Sequence, residues 1–241
     1  MNTNVFLARA FLELIFRLPI LWRIKKSKSS LTENEYMAAV AKGASGIIEK
    51  YMKITGSTLN IKGKENIPKE EAVLFVANHQ GNFDLSVFLY GIDKPKGYVS
   101  KMEASKIPLM SAWMREMRCL FIDRDDLRQS AAIITEGVKL LKNGYSLVVF
   151  PEGSRSRGLE VGEFKGGSFK LATKSNVPII PVSLNGSYKI MEMNKNRVIG
   201  GRIDAIIHPP LFTKGLTREE TAEIPQKVKE IILNGVKELQ S

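Results

Sequence analysis

Residues 72–89 read AVLFVANHQGNFDLSVFL. The six consecutive apolar residues Ala72–Ala77 need cover on both faces, which is how a strand inside a helix-covered sheet reads. A polar turn follows, Asn78-His79-Gln80-Gly81-Asn82, in which Gly81 and Asn82 permit a tight reversal. Asp84 then stands at the first turn of a short helical pattern, Leu85–Gly91. A strand that passes through a compact loop into a helix is the building unit of an α/β sheet.

The same alternation extends across residues 57–241. Strand candidates are Thr58–Lys62, Ala72–Ala77, Gly97–Val99, Leu120–Asp123, Ser146–Phe150, Ile179–Leu184 and Ile203–His208. Helical patterns lie between them at Leu85–Gly91, Ala104–Met117, Asp126–Asn143 and Lys165–Ser175, and Thr217 with Glu220 caps a last charged helix. The expected fold is α/β, a mixed sheet covered by helices.

Residues 1–56 have a different character. Positions 5–22 are apolar except for Arg9, Glu13 and Arg17. Spanning a bilayer would cost about 2.5–3.5 kcal/mol for each charge, against roughly 0.3–0.6 gained per Leu, Ile or Phe, so the terms nearly cancel. No basic leader and no small-residue cleavage site mark a signal peptide. Spacing of four residues gathers the charges within about 80° on a helix, where Glu13 can pair with both arginines. Phe6, Phe11, Leu12 and Phe16 fall on the broad apolar remainder. Trp22, Arg23, Lys25 and Lys26 follow, residues that suit lipid headgroups. The expectation is a helix lying in the membrane interface rather than across it; the alternative is a helix packed on the protein's own core. Thr32 and Glu35 form a capping box for a second helix, which Gly56 stops. Residues 1–56 thus read as a two-helix membrane-association motif and 57–241 as the α/β domain.

Charge and chemistry-bearing residues narrow the function classes. Lys and Arg outnumber Asp and Glu by 36 to 25, a net charge of +11 that favours anionic partners. No basic stripe interleaved with aromatics supports nucleic-acid binding. The lone Cys119, beside Leu120, Phe121 and Ile122, excludes an intrachain disulfide and reads as a buried, inert thiol. His79 and His208 are the two histidines, with no His-Glu-x-x-His and no Cys-x-x-Cys, so no metal is expected. No phosphate-binding glycine loop appears, and no nucleotide cofactor is expected. His208, followed by two prolines at a strand end, reads as structural.

Four stretches remain. His79 and Asp84 flank one tight loop, so a carboxylate could orient the imidazole and leave its other nitrogen to accept a proton. Spacing alone equally fits a loop histidine and a helix N-cap. Phe150-Pro151-Glu152-Gly153-Ser154-Arg155-Ser156-Arg157 ends a strongly apolar strand, where open α/β sheets bind ligands. Its glycine, hydroxyls and arginines suit a phosphate cradle; a solvated charged turn is the alternative. Phe121-Ile122-Asp123-Arg124 offers an Asp–Arg pair that could be a structural salt bridge. Val177-Pro178-Ile179-Ile180-Pro181-Val182 carries no reactive side chain.

In this order the four stretches resemble blocks of the glycerolipid acyltransferase family, in particular the 1-acyl-glycerol-3-phosphate acyltransferases, over residues 57–215. The resemblance implies acyl transfer from acyl-ACP or acyl-CoA to lysophosphatidic acid, giving phosphatidic acid, without metal or bound cofactor. It implies His79 as general base, Asp84 as its orienting carboxylate, and Arg124 and Arg155 as holders of the acceptor phosphate. Glu152, Gly153 and Ser154 match the acceptor-binding block, and Lys101 matches a lysine that faces the phosphate or the oxyanion. Location on anionic lipids at the cytoplasmic face of the inner or plasma membrane is the corresponding expectation. Gly81 stands where many relatives carry serine, and Arg118 where a glycine often precedes the third stretch. Two alternatives stay open: an acyltransferase for glycerol 3-phosphate or another lysolipid, and a non-catalytic basic membrane-binding protein.

Overall fold

The computed structural model describes residues 1–123, 126–195 and 197–241. Strands β1 (Thr58–Lys62), β2 (Leu74–Ala77), β3 (Lys96–Lys101), β4 (Leu120–Ile122), β5 (Ser146–Val149), β6 (Ile179–Asn185) and β7 (Arg202–Ile207) form one sheet in the order β1-β7-β6-β2-β5-β3-β4. All pairings are parallel except β6 with β7. The five strands from β6 to β4 therefore share one direction, and their carboxyl ends meet on one edge of the molecule. The expected mixed sheet is present.

Strands β2, β5 and β6 are buried at every residue, because helices cover both faces. Alternation along β2 divides the core. Val73, Phe75 and Ala77 join a cluster with residues from helices α1 (Thr3–Phe16), α2 (Leu18–Lys26), α3 (Glu33–Thr55), α4 (Asp84–Leu89) and α5 (Met110–Glu116). Ala72, Leu74 and Val76 face the other cluster, with α6 (Leu127–Lys142), α7 (Lys170–Ser175) and α8 (Arg218–Glu238). Tyr36, Val40, Ala44 and Ile47 of α3 lie in the first cluster, so the N-terminal helices share a continuous core with the sheet. At the α3–α5 crossing, a Cβ on Gly43 would stand 2.7 Å from the Trp113 ring; only glycine lets the indole seat there.

Several expectations are corrected. The first helix is two helices, divided at Arg17, because Pro19 has no N–H to continue the ladder. Phe6, expected at the membrane interface, is 5% exposed and packs against Tyr51 and Phe83. Among the described residues Glu13 pairs with Arg17 alone, at 2.7 Å, and Arg17 also donates to the Gly46 carbonyl; that end of the polar stripe docks on α3 rather than facing water. The helix expected over Ala104–Met117 is shortened to α5 by Pro108, before which the chain runs as 3-10 turns. The capping boxes at Thr32–Glu35 and Thr217–Glu220 both form, and Gly56 stops α3 in the left-handed region.

Cys119 is buried, and burial pushes its thiol up to about 12. His208 bonds Ser183 Oγ through Nε2 at 2.8 Å beside α8, and burial lowers its pKa. No described helix is long and apolar enough to cross a membrane.

Candidate active site

The loop between β2 and α4 fixes its own histidine. His79 Nδ1 lies 2.6 Å from Asp84 Oδ2. The same oxygen accepts the backbone N–H groups of Gln80 at 2.8 Å and Gly81 at 3.0 Å. Asp84 is fully buried and makes no side-chain cap of its own helix. Its carboxylate bonds the preceding loop, so it does not serve as the side-chain N-cap of its helix. With Nδ1 tied to the carboxylate, a neutral ring carries its proton there and leaves Nε2 as the acceptor.

Neighbouring strands brace this loop. Phe150, just past β5, stacks on the His79 ring with centroids 4.1 Å apart. Glu152 accepts the His79 N–H through Oε1 at 2.7 Å and the Gly162 N–H through Oε2 at 2.8 Å. Burial raises its pKa while those two N–H bonds lower it. Ser156 N–H and Arg157 N–H donate to the carbonyls of His79 and Gln80. From the other side, past β6, Ser187 Oγ donates to Asp84 Oδ1, and Gly186 N–H donates to Gln80 Oε1 at 3.0 Å.

His79 opens onto a cavity of about 330 Å³ at the carboxyl ends of β2, β3 and β5. Leu85, Tyr98, Val99, Ala104 and Phe150 give it apolar walls. Lys101, Arg155 and Arg157 bring positive charge to it, with Gly153 and Ser154 between them in the chain. An imidazole acceptor, an apolar wall and clustered cations on one cavity fit proton removal from a hydroxyl on an amphiphilic anion. Among the described residues no group of three or more His, Cys, Asp or Glu could hold a metal ion.

Of the expected site residues, His79, Lys101, Gly153, Ser154 and Arg155 line this cavity. Asp84 sits directly behind His79. Glu152 is not among its lining residues; its two oxygens accept the backbone N–H groups of His79 and Gly162 and so brace the loop. Arg124 lies outside the described residues. Ser187 and Glu192 went unforeseen. Glu192 accepts the Asn82 N–H at 2.7 Å, and nothing in the local sequence marks either residue.

The family model described as Acyltransferase matches residues 58–185, and this chain belongs to that family. Among curated proteins it is 34% identical over 197 residues to a probable 1-acyl-sn-glycerol-3-phosphate acyltransferase of Mycoplasma pneumoniae, covering 77% of this chain and 74% of that one. It is 29% identical to the 1-acyl-sn-glycerol-3-phosphate acyltransferase of Borreliella burgdorferi, covering 75% and 72%. Among solved structures it resembles the crystal structure of the 1-acyl-sn-glycerophosphate acyltransferase PlsC of Thermotoga maritima, with a TM-score of 0.76, 28% identity and 98% of both chains covered.

Proposed function

We propose that this chain transfers a fatty acyl group from an acyl-ACP or acyl-CoA thioester to the sn-2 hydroxyl of lysophosphatidic acid, giving phosphatidic acid. The observation that carries the reading is the 2.6 Å His79–Asp84 contact at a cavity with both apolar walls and arginines. The named relatives and the PlsC structure support the substrate class.

His79 Nε2 takes the proton of the acceptor hydroxyl as that oxygen attacks the thioester carbonyl. Asp84 holds the ring's pose and stabilises the imidazolium that forms. Collapse of the tetrahedral intermediate breaks the C–S bond, and the imidazolium returns its proton to the leaving thiolate. No acyl-enzyme is formed. Arg155, Arg157 and Lys101 hold the acceptor phosphate, with Gly153 and Ser154 forming the turn that presents the two arginines. Among the expected contacts Arg124 is a further phosphate ligand.

The exposed apolar face of α1 and α2 seats the protein in one leaflet. Phe11, Leu12, Phe16 and Trp22 are 45%, 50%, 73% and 62% exposed. Arg23, Lys25 and Lys26 lie at the headgroup level, with Lys26 over the Trp22 ring. An interfacial enzyme on the cytoplasmic face draws an acyl-bearing acceptor directly from the lipid.

His79→Ala, assayed in purified form with defined thioester donors and with lysophosphatidate and glycerol 3-phosphate in parallel, tests the reading. Loss of turnover with retained fold is expected, and wild-type protein is expected to prefer lysophosphatidate. Wild-type-like turnover by the variant removes the base assignment. Preference for glycerol 3-phosphate removes the acceptor.

A further inference from the structure

The segment after β6 holds a carboxylate that neither the base pair nor the phosphate loop accounts for. Glu192 returns beneath the catalytic loop with its side chain only 6% exposed. Its Oε1 accepts the Asn82 N–H at 2.7 Å and stands 3.6 Å from Arg155 Nη1. That same arginine nitrogen donates to Asn82 Oδ1. Glu192, Asn82 and Arg155 thus close a small ring behind the cavity. The other oxygen, Oε2, is buried without a hydrogen-bond partner among the described residues. A Cβ at Gly81 would stand 2.5 Å from it, so the missing side chain there is the space the carboxylate fills.

A half-served buried carboxyl is costly to keep, and burial raises its pKa. A glutamine would serve the Asn82 N–H as well, without the cost of a charge. What only the anion supplies is an ionic hold on Arg155, a residue that lines the cavity.

We propose that Glu192 is the positioning residue for the acceptor's phosphate: it holds Arg155 by one nitrogen, turns the remaining guanidinium donors toward the cavity, and ties them to the loop that carries His79. The proposal rests on the phosphate-acceptor reading above. Fixing a long arginine before substrate arrives reduces the entropy lost on binding. Linking it to the catalytic loop sets the distance between the bound phosphate and the reacting hydroxyl.

Steady-state kinetics of the full chain, with lysophosphatidate as acceptor and a purified thioester donor, tests this. Glu192→Gln keeps the shape and an oxygen for the Asn82 N–H but removes the charge. Acceptor KM is expected to rise about tenfold, with kcat changed by less than about threefold, as for loss of one charge-assisted contact to a binding group. Donor KM is expected to stay put, and the thermal midpoint to hold or rise, since the variant sheds a costly buried charge. Arg155→Ala is expected to raise acceptor KM as well, and Arg155→Ala with Glu192→Gln to be no worse than Arg155→Ala alone. An unchanged acceptor KM in Glu192→Gln, a loss confined to kcat, or additive effects in the double variant overturns the proposal. A wild-type chain inactive on lysophosphatidate removes the parent reading with it; an active wild type with an indifferent Glu192→Gln removes this proposal alone.

Discussion

Asp84 makes more contacts than holding one imidazole would need. Oδ2 accepts from His79, Gln80 and Gly81, and Oδ1 from Ser187. An amide cannot accept at both ends, so Asp84→Asn is expected to lose about 10³–10⁴ in kcat with little change in acceptor KM, as when a base is left in the wrong tautomer. Ser187→Ala removes one bond to the carboxylate and is expected to lower kcat about tenfold, the scale of a single hydrogen bond to a charged group. Steady-state kinetics on both variants checks the order. The His79–Asp84 pair was legible in the sequence because its members stand at the two ends of one short loop. Ser187 and Glu192 were not, because they reach that loop from 103 and 110 residues further along the chain, and no spacing rule encodes such a contact. Arg118 stands between these cases. Its φ of 56° is a conformation that glycine adopts most readily, and its guanidinium, paired with Glu33 and 4.3 Å from the Tyr145 ring, secures a conformation that most side chains avoid.

At the level of elements, Lys96 explains how the short helix α4 keeps its place. Its ammonium, buried at the start of β3, donates to the carbonyls of Phe88 at 2.7 Å and Ile92 at 2.9 Å, where the helix leaves carbonyls without partners. The expected strand began at Gly97 because a lysine reads as polar; the carbonyls are what make its burial tolerable. Burial lowers its pKa from 10.5 to about 7. A lysine whose folded pKa lies below its unfolded value disfavours the folded state fully below pH 7, less between pH 7 and 10.5, and not at all above that range. Stability is therefore expected to gain up to about 1.4 kcal/mol per pH unit from this group as pH rises above 7. Lys96→Met is expected to lose that slope, so that it falls behind the wild type as pH rises and the two abandoned carbonyls, about 1–3 kcal/mol, are no longer offset by relief of a buried charge; denaturant melts at pH 7 and 9 measure the difference. Elsewhere periodicity placed each strand within a few residues; helix ends are misplaced at Pro19 and Pro108, where a missing N–H overrides the hydrophobic pattern, and at Lys165, where a 3-10 turn over Gly166–Phe169 delays α7 to Lys170.

For the molecule as a whole, the N-terminal helices serve two surfaces at once. Phe6, Ala10, Leu21 and Ile24 belong to the core, whereas Phe11, Leu12, Phe16 and Trp22 are exposed. Amphipathic spacing gave the polar stripe but could not say which apolar residues would meet the sheet, since that depends on the docking angle of α1 on α3. Cutting away residues 1–28 would therefore open the core along with the exposed face. The cleaner test is Phe11→Ser with Phe16→Ser and Trp22→Ser, which is expected to leave the fold intact. Binding to anionic vesicles is expected to weaken on the order of a thousandfold, at roughly 1.5 kcal/mol per lost apolar side chain; co-sedimentation and a thermal melt read the two effects separately. The stretch matched by the family model stops at residue 185, one short of the Gly186 turn that sends Ser187 and Glu192 back under the catalytic loop. Anyone transplanting only that stretch into another scaffold would carry across both His79 and Asp84 and leave their props behind.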